Sequence, residues 1–331
     1  MFRTLFTLCG ASLLIATAAQ AGNLETPAAE GTVALEAAQD SATDTAPGPR
    51  RHKLGVGAYM TNDFLGDHDD RWRTGAIGAS YVRGYDWTGS APAGFGELIE
   101  YRFLSQVIAP ADLVSPNPAD RPYAGAISLG VHSHMNRDGL ELSLGGDLVF
   151  IGPQTGIDNL HENLHQLFGS TEPGAGMLAN QIGNTVRPTA VAEIGRSFDL
   201  GGRARLRPFA EARAGDETLL RVGADLTFGP AGLGELLVRD PVTGQRYRVV
   251  TQAVPGFSFT LGGDIAYVAD SVYLPSGRGY DLTDHRDRLR AGIHWQGRRT
   301  GIFFGMAYLG EEFRAQPESQ VVGLLQVKMT F

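Results

Sequence analysis

The chain has 331 residues, a formal net charge of −8, 44 glycines and a single cysteine, Cys9. The acidic balance argues against nucleic acid as a partner. A lone cysteine near the N-terminus leaves the remaining chain without disulfide or thiolate-metal chemistry. Beyond the N-terminal segment, no apolar run reaches the ~18 residues of a membrane-spanning helix.

The chain opens as a secretory signal. Arg3 supplies the positive start, Leu5 to Ala18 the apolar run and Ala19-Gln20-Ala21 a cleavage site. This predicts a signal peptide over residues 1–21, which contains Cys9. Residues 22–50 are rich in Ala, Thr, Glu, Asp and Pro without usable period, and are expected to form a disordered leader. Residues 51–331 then form one folded unit. A secretory signal with near-neutral hydropathy leaves two classes, a soluble secreted protein or an outer-membrane barrel, whose strands conceal their hydrophobicity in alternation.

That alternation runs through the chain. Leu54, Val56, Ala58 and Met60 oppose Gly55, Gly57, Tyr59 and Thr61. Leu140, Leu142, Leu144, Leu148 and Phe150 oppose Glu141, Ser143, Gly145 and Asp147. Phe257, Phe259, Leu261, Ile265 and Tyr267 oppose Ser258, Thr260, Gly262 and Asp264. A side-chain period of two places each set on one face of a strand. Twelve such runs are expected, at 53–62, 73–84, 95–106, 122–134, 139–151, 185–199, 203–214, 217–228, 255–269, 286–297, 300–309 and 320–331. Most have the length of tilted membrane strands, and an even count closes an antiparallel barrel. A soluble β-sandwich fits the same period. Glu100, Arg102, Arg205, Arg207 and Arg213 suit a wet barrel interior or the outer face of a sandwich equally. His132, His134 and His294 fall on polar strand faces, as lumen-lining residues.

The C-terminus favours the barrel. Leu325, Val327, Met329 and Phe331 alternate with Gln326, Lys328 and Thr330. An amphipathic strand ending on Phe resembles the signal read by the barrel assembly machinery of the bacterial outer membrane. With Phe331 at the periplasmic rim, the loops after odd-numbered strands face the cell exterior. Residues 229–254 then form an unusually long periplasmic connection, either an accessory hairpin around Asp240 to Gly244 or two further wall strands, for a total of fourteen.

Within Gly152 to Gly169 a helix is expected over 158–168, capped by Asp158 or Asn159. Leu160, Leu164, Leu167 and Phe168 share its apolar face, and His161 and His165 are neighbours four apart. His161-Glu162-Asn163-Leu164-His165 is also H-E-x-x-H, a zinc-peptidase signature that needs a third ligand.

Three segments read together: Asn62-Asp63-Phe64 with Asp70-Arg71-Trp72-Arg73-Thr74; Asp120-Arg121-Pro122-Tyr123-Ala124-Gly125; and Gly152-Pro153 through His165, then Asn180-Gln181. They resemble the lipid A 3-O-deacylase family of outer-membrane barrels. That family carries "ND" after the first strand, a "DRYYTNG"-like opening to the second, "RPYAG" before the fourth and a "GP…H" helix bearing the catalytic histidine. Here Trp72-Arg73 replaces the aromatic pair, and His161 stands where the family tends to carry Gln. The resemblance implies calcium-dependent hydrolysis of an ester-linked acyl chain of lipid A, in the lipopolysaccharide of the outer leaflet. His165 would be the base, Asn62 and Asp63 the Ca²⁺ ligands, Thr74 a further hydroxyl and Glu172 a partner of His165 or of the metal. The residue chemistry agrees: imidazole titrates near working pH and hard oxygens suit Ca²⁺. Arg121 would anchor the rim or bind a lipid A phosphate. Two other readings remain, the H-E-x-x-H zinc metallopeptidase and a non-enzymatic porin or adhesin with an open lumen.

Overall fold

The computed structural model describes residues 50–169, 171–252 and 254–329. The expected signal peptide, nearly all of the leader and the terminal Phe331 lie outside the described residues. Twelve strands form the wall: β1 (His52–Asn62), β2 (Trp72–Gly84), β3 (Ile99–Ala109), β4 (Ala124–Arg137), β5 (Leu140–Ile151), β6 (Thr185–Arg196), β7 (Ala204–Ala214), β8 (Glu217–Phe228), β9 (Gly256–Ser271), β10 (Arg286–Gln296), β11 (Thr300–Leu309) and β12 (Gln320–Met329). Every neighbour pair is antiparallel. Pairing of β6 with β7 and of β1 with β12 closes the ring.

Burial decides between barrel and sandwich. The apolar set of β9 is open, with Phe257 61% and Tyr267 63% exposed, while Ser258 and Asp264 on the polar set are buried. A sandwich buries the apolar face. This inversion belongs to a barrel whose outside meets hydrocarbon and whose inside is polar. His132, His134 and His294 are buried on the inner face; His132 meets Asp147 at 2.8 Å and His134 meets Glu100 at 2.7 Å.

The interior is lined with paired charges. Arg290 Nη2 lies 2.6 Å from Asp225, Arg288 Nε 2.9 Å from Asp264, and Arg239 bridges Asp225 at 2.9 Å and Glu193 at 2.8 Å. Buried charges persist where each finds an opposite partner. The connection from β8 to β9 is the accessory hairpin, not wall. Its strands Leu236–Arg239 and Arg246–Val250 pair only with each other, and it lies in the lumen. A Cβ added to Gly55 or Gly57 of β1 would fall 2.3 Å from Val249 O or 2.4 Å from Arg248 O, so only glycine admits the hairpin backbone there. Tyr59 donates to Asp240 at 2.7 Å, and its ring lies 4.4 Å from that of Tyr247.

The hairpin also backs the seam between first and last strands. Among the described residues, β1 and β12 pair over Met60 to Asn62 with Gly323 to Leu325. Further along, Gln326 Nε2 donates to Ala58 O at 3.3 Å and Arg248 O at 3.1 Å, and Lys328 Nζ to Val249 O at 2.9 Å.

Several boundaries differ from expectation. β3 starts at Ile99 rather than 95 because Gly96 turns at φ 78°. β4 starts after Pro122, which has no ladder donor. The sixth run breaks at Ser197, and Phe198–Gly201 pairs back onto β7. The helix, α1, spans Ile157–Phe168; its cap is Gly156 at φ 65°, and neither Asp158 nor Asn159 caps it. A second short helix, α2 (Ala175–Ala179), follows it.

Candidate functional site

The site is built from the β1–β2 loop, the approach to β4 and α1. Asn62 is extended at φ −159° and caps a one-turn 3₁₀ helix, Asp63–Leu65. Its Oδ1 accepts from Phe64 N at 2.9 Å and its Nδ2 donates to Thr74 O at 3.1 Å, tying the loop to β2. Asp63 is 2% exposed, and its carboxylate accepts from Phe64 N at 2.8 Å and Arg71 N at 2.9 Å. Burial, then the charge of Asp70, pushes its carboxyl up to about 8 despite those N–H groups. β2 enters irregularly: Trp72 has φ 50°, and the register shifts between Trp72 and Gly75. Bulges of this kind re-aim side chains. Here Arg73 pairs with Glu312 at 2.7 Å, and Trp72 Nε1 donates to Asp120 at 3.2 Å.

α1 docks on the outer side of the wall. An added Cβ at Gly125 would lie 2.5 Å from Ile157 Cβ. Gly125 shares its parity on β4 with Leu129 and Val131, which face outward and are half exposed. The face α1 turns inward is its histidine face: Ile157, His161 and His165 are buried, whereas Leu160, Leu164 and Leu167 are exposed. The apolar periodicity was real, but it is the other stripe that packs.

His165 Nε2 lies 2.9 Å from Asp70 Oδ2, and His161 Nε2 lies 3.9 Å from the same oxygen. On its far side, His165 Nδ1 meets the carbonyl of Thr171. The two imidazoles are 4.3 Å apart at 75°, and Tyr123 stacks on His161 at 5.8 Å. α2 backs Tyr123 through Met177. Burial, then the neighbouring His165, lowers His161 to about 4, so it is neutral at physiological pH. Burial raises Asp70, opposed first by the charge of His165. Asp70 Oδ1, Thr74 Oγ1 and both ring nitrogens of His161 are buried without a hydrogen-bond partner.

Of the residues expected from sequence, His165 and Thr74 sit beside Asp70. Asp63 neighbours it through the Arg71 amide, and Asn62 reaches the group through the Thr74 carbonyl. Glu172 is exposed, without a hydrogen bond or ion pair among the described residues. Its neighbour Thr171 is the one that touches His165, through a backbone oxygen. Arg121 is buried with Nη1 2.9 Å from Glu312, as a rim anchor. Asp70 is the residue the sequence reading passed over, although it heads the Asp70 to Thr74 segment. Tyr123, within the Arg121 to Gly125 motif, was likewise given no role.

The fold is shared with a solved structure, LpxR from Salmonella typhimurium, at a TM-score of 0.69 and 17% identity, covering 84% of this chain and 100% of that one. NanC porin (7% identity, TM-score 0.37, 85% of this chain and 100% of that one) and KdgM porin (6%, 0.38, 83% and 99%) overlap too weakly to carry an argument. Among curated proteins there is no match to this chain. The family described as "Outer membrane protein LpxR" matches residues 8–331, nearly the whole length. With its closed twelve-stranded wall and apolar exterior, this chain belongs to the LpxR family of outer-membrane proteins.

Proposed function

We propose that this protein is a hydrolase that removes the 3-O, ester-linked acyl chain from lipid A, working on lipopolysaccharide in the outer leaflet with its site toward the cell exterior. The observation that carries this reading is His165, held between the Thr171 carbonyl and Asp70 on the outward side of the rim. A carbonyl only accepts, so Nδ1 is the protonated nitrogen and Nε2 the basic one. Two acceptors cannot meet at 2.9 Å, so the contact with Asp70 is that of the imidazolium, formed once Nε2 of the neutral ring has taken a proton from an attacking water; the Asp70 carboxylate stabilises that charge. Asn62 and Asp63 act on this arrangement by holding the loop that carries Asp70. A site outside the wall also suits an ester at the headgroup–acyl boundary, which reaches it sideways within the leaflet. The hairpin seated in the lumen narrows it, which weighs against the porin reading.

The donors around Asp70 fit a hard cation. Asp63, Asp70, Thr74 and Asn62 offer oxygens, two of them buried without partners, and the Asp63 carboxyl, raised first by burial and then by the charge of Asp70, gains from a cation beside it. These four residues would hold Ca²⁺, and a bound Ca²⁺ supplies Lewis-acid polarisation of an ester carbonyl. Folding of the wall would use the barrel assembly machinery, read through the C-terminal strand.

One observation favours a second reading. Ligand atoms of Asp70, His161 and His165 all lie within 4.8 Å of one another, the third ligand an H-E-x-x-H zinc site requires. In that case Glu162 is the base. Mass spectrometry of lipid A from cells with and without the protein tests the deacylase. Loss of one acyl chain in calcium supports it; unchanged lipid A, with heat-modifiable protein in the outer membrane, overturns it. Chelated protein restored by zinc but not by calcium would select the second reading.

A further inference from the structure

We infer that α1 lies in the bilayer surface, with Leu160, Leu164 and Leu167 in contact with the acyl chains of outer-membrane lipid. The helix has three faces rather than two. Ile157, His161 and His165 pack on the barrel. Leu160, Leu164 and Leu167, at i, i+4 and i+7, form one stripe and are 51%, 42% and 75% exposed. Asn159, Asn163 and Gln166 form a separate exposed polar face. A helix in water has no use for an open leucine stripe beside a buried pair of imidazoles. A helix at a membrane interface needs this division, with apolar residues down in hydrocarbon and amides up in water.

The occupant is lipid because the stripe continues a surface that already faces lipid. α1 seats on the outward side of β4 at Gly125. Further along that outward face stand Leu129 and Val131, and beside them on β5 Leu148, 51%, 50% and 41% exposed. These belong to the wall that any outer-membrane barrel presents to hydrocarbon. An apolar stripe at the edge of that belt meets the same phase. The consequence for the site is depth. The imidazoles sit one helix face away from the leucines, at the level where headgroup gives way to acyl chain, and a lipid approaches them without leaving the leaflet.

The inference rests on the family's outer-membrane location and not on the deacylase reading, so the test uses position rather than activity. Protein with Cys9→Ser and either Leu164→Cys or Asn163→Cys is spin-labelled and placed in phosphatidylethanolamine–phosphatidylglycerol vesicles, with heat-modifiability confirming the fold. Collision with oxygen, which partitions into hydrocarbon, is compared with collision with a water-soluble nickel chelate. The expected result is oxygen-favoured collision at residue 164 and nickel-favoured collision at 163, one position apart. Equal nickel access at both positions overturns the proposal. So does a label at 164 shielded from both reagents, which is the signature of a protein partner. As a second measure, changing Leu160, Leu164 and Leu167 together to Asn should abolish photocrosslinking of α1 to acyl-chain diazirine lipids. Unchanged crosslinking overturns the proposal.

Discussion

Asp70 Oδ2 stands 2.9 Å from His165 Nε2, although the two side chains come from loops that only the closed wall brings together. The contact spans the β1–β2 connection and α1, and neither partner is explained by its own element. Removing the imidazole should therefore remove the proton acceptor. His165→Ala is expected to lower ester release by about 10²–10⁴, the usual share of a positioned general base. Asp70→Asn keeps the shape but not the charge, and should lower it by at least ~10-fold. Both are read as lipid A ester release at fixed calcium, with heat-modifiability as the folding control. Wild-type rates in either variant would remove that residue from the mechanism.

His161 should behave differently. It has no hydrogen-bond partner, and burial with the adjacent His165 holds it at about 4, below the free value of about 6.5. A folded pKa below the unfolded one means that its stabilisation is complete above ~6.5 and is lost as pH falls through about 4. Histidine NMR on the folded protein should place its midpoint near 4. His161→Gln should retain most ester release and remove this acid-side loss. A variant as inactive as His165→Ala, with Glu162→Gln equally dead, is the outcome the zinc reading requires.

Asp63 titrates in the opposite sense. Its folded carboxyl stands at about 8, above the free value of about 3.9, so its contribution is complete below ~3.9 and is lost as pH rises through about 8. Without calcium, the amides of Phe64 and Arg71, which donate to it, should lose protection, relative to unstructured amides at the same pH, as pH rises through about 8. Asp63→Asn should flatten that dependence. Calcium should flatten it too, by favouring the ionised form. A pH-independent protection factor in chelator would show that Asp63 is not held in this way.

The lumenal hairpin predicts a closed pore. Single-channel recordings of the intact barrel should show little conductance, and a variant lacking residues 235–250 should conduct if it closes at all. Asp240→Ala is the milder test. It removes the acceptor of Tyr59 and of the Val242 and Thr243 amides, and buried hydrogen bonds of this kind are worth about 1–3 kcal/mol when a partner is left unsatisfied. Flickering conductance is expected from it. High steady conductance in the wild-type protein would mean that the hairpin leaves the lumen.

The wall was legible because its two sides face different media. Phe257-Ser258-Phe259-Thr260 alternates in sequence for the same reason that Phe257 is open and Ser258 buried. Ends were less legible: Phe95, 68% exposed in a turn, mimics a strand residue and drew β3 too early. The helix was found from its leucines, but the packed face was not, since an apolar stripe in a membrane protein need not be buried. Asp70 escaped because strand parity cannot register the irregular entry at Trp72. The Thr171 carbonyl carries no side-chain signature at all.

The seam between β1 and β12 joins the two ends of the wall, so its closure carries the longest loop in the molecule and the largest entropic penalty. Among the described residues, three residue pairs meet there directly. The hairpin precedes β9, so it is made well before the last strand. Once docked on Gly55 and Gly57, it holds the carbonyls of Arg248 and Val249 where Gln326 and Lys328 will look for acceptors. It thereby acts as a template that the final strand finds already in place. Paired Gln326→Ala and Lys328→Ala substitutions should therefore slow folding into vesicles more than they speed unfolding, whereas equal folding rates would make the hairpin a late lodger rather than a guide.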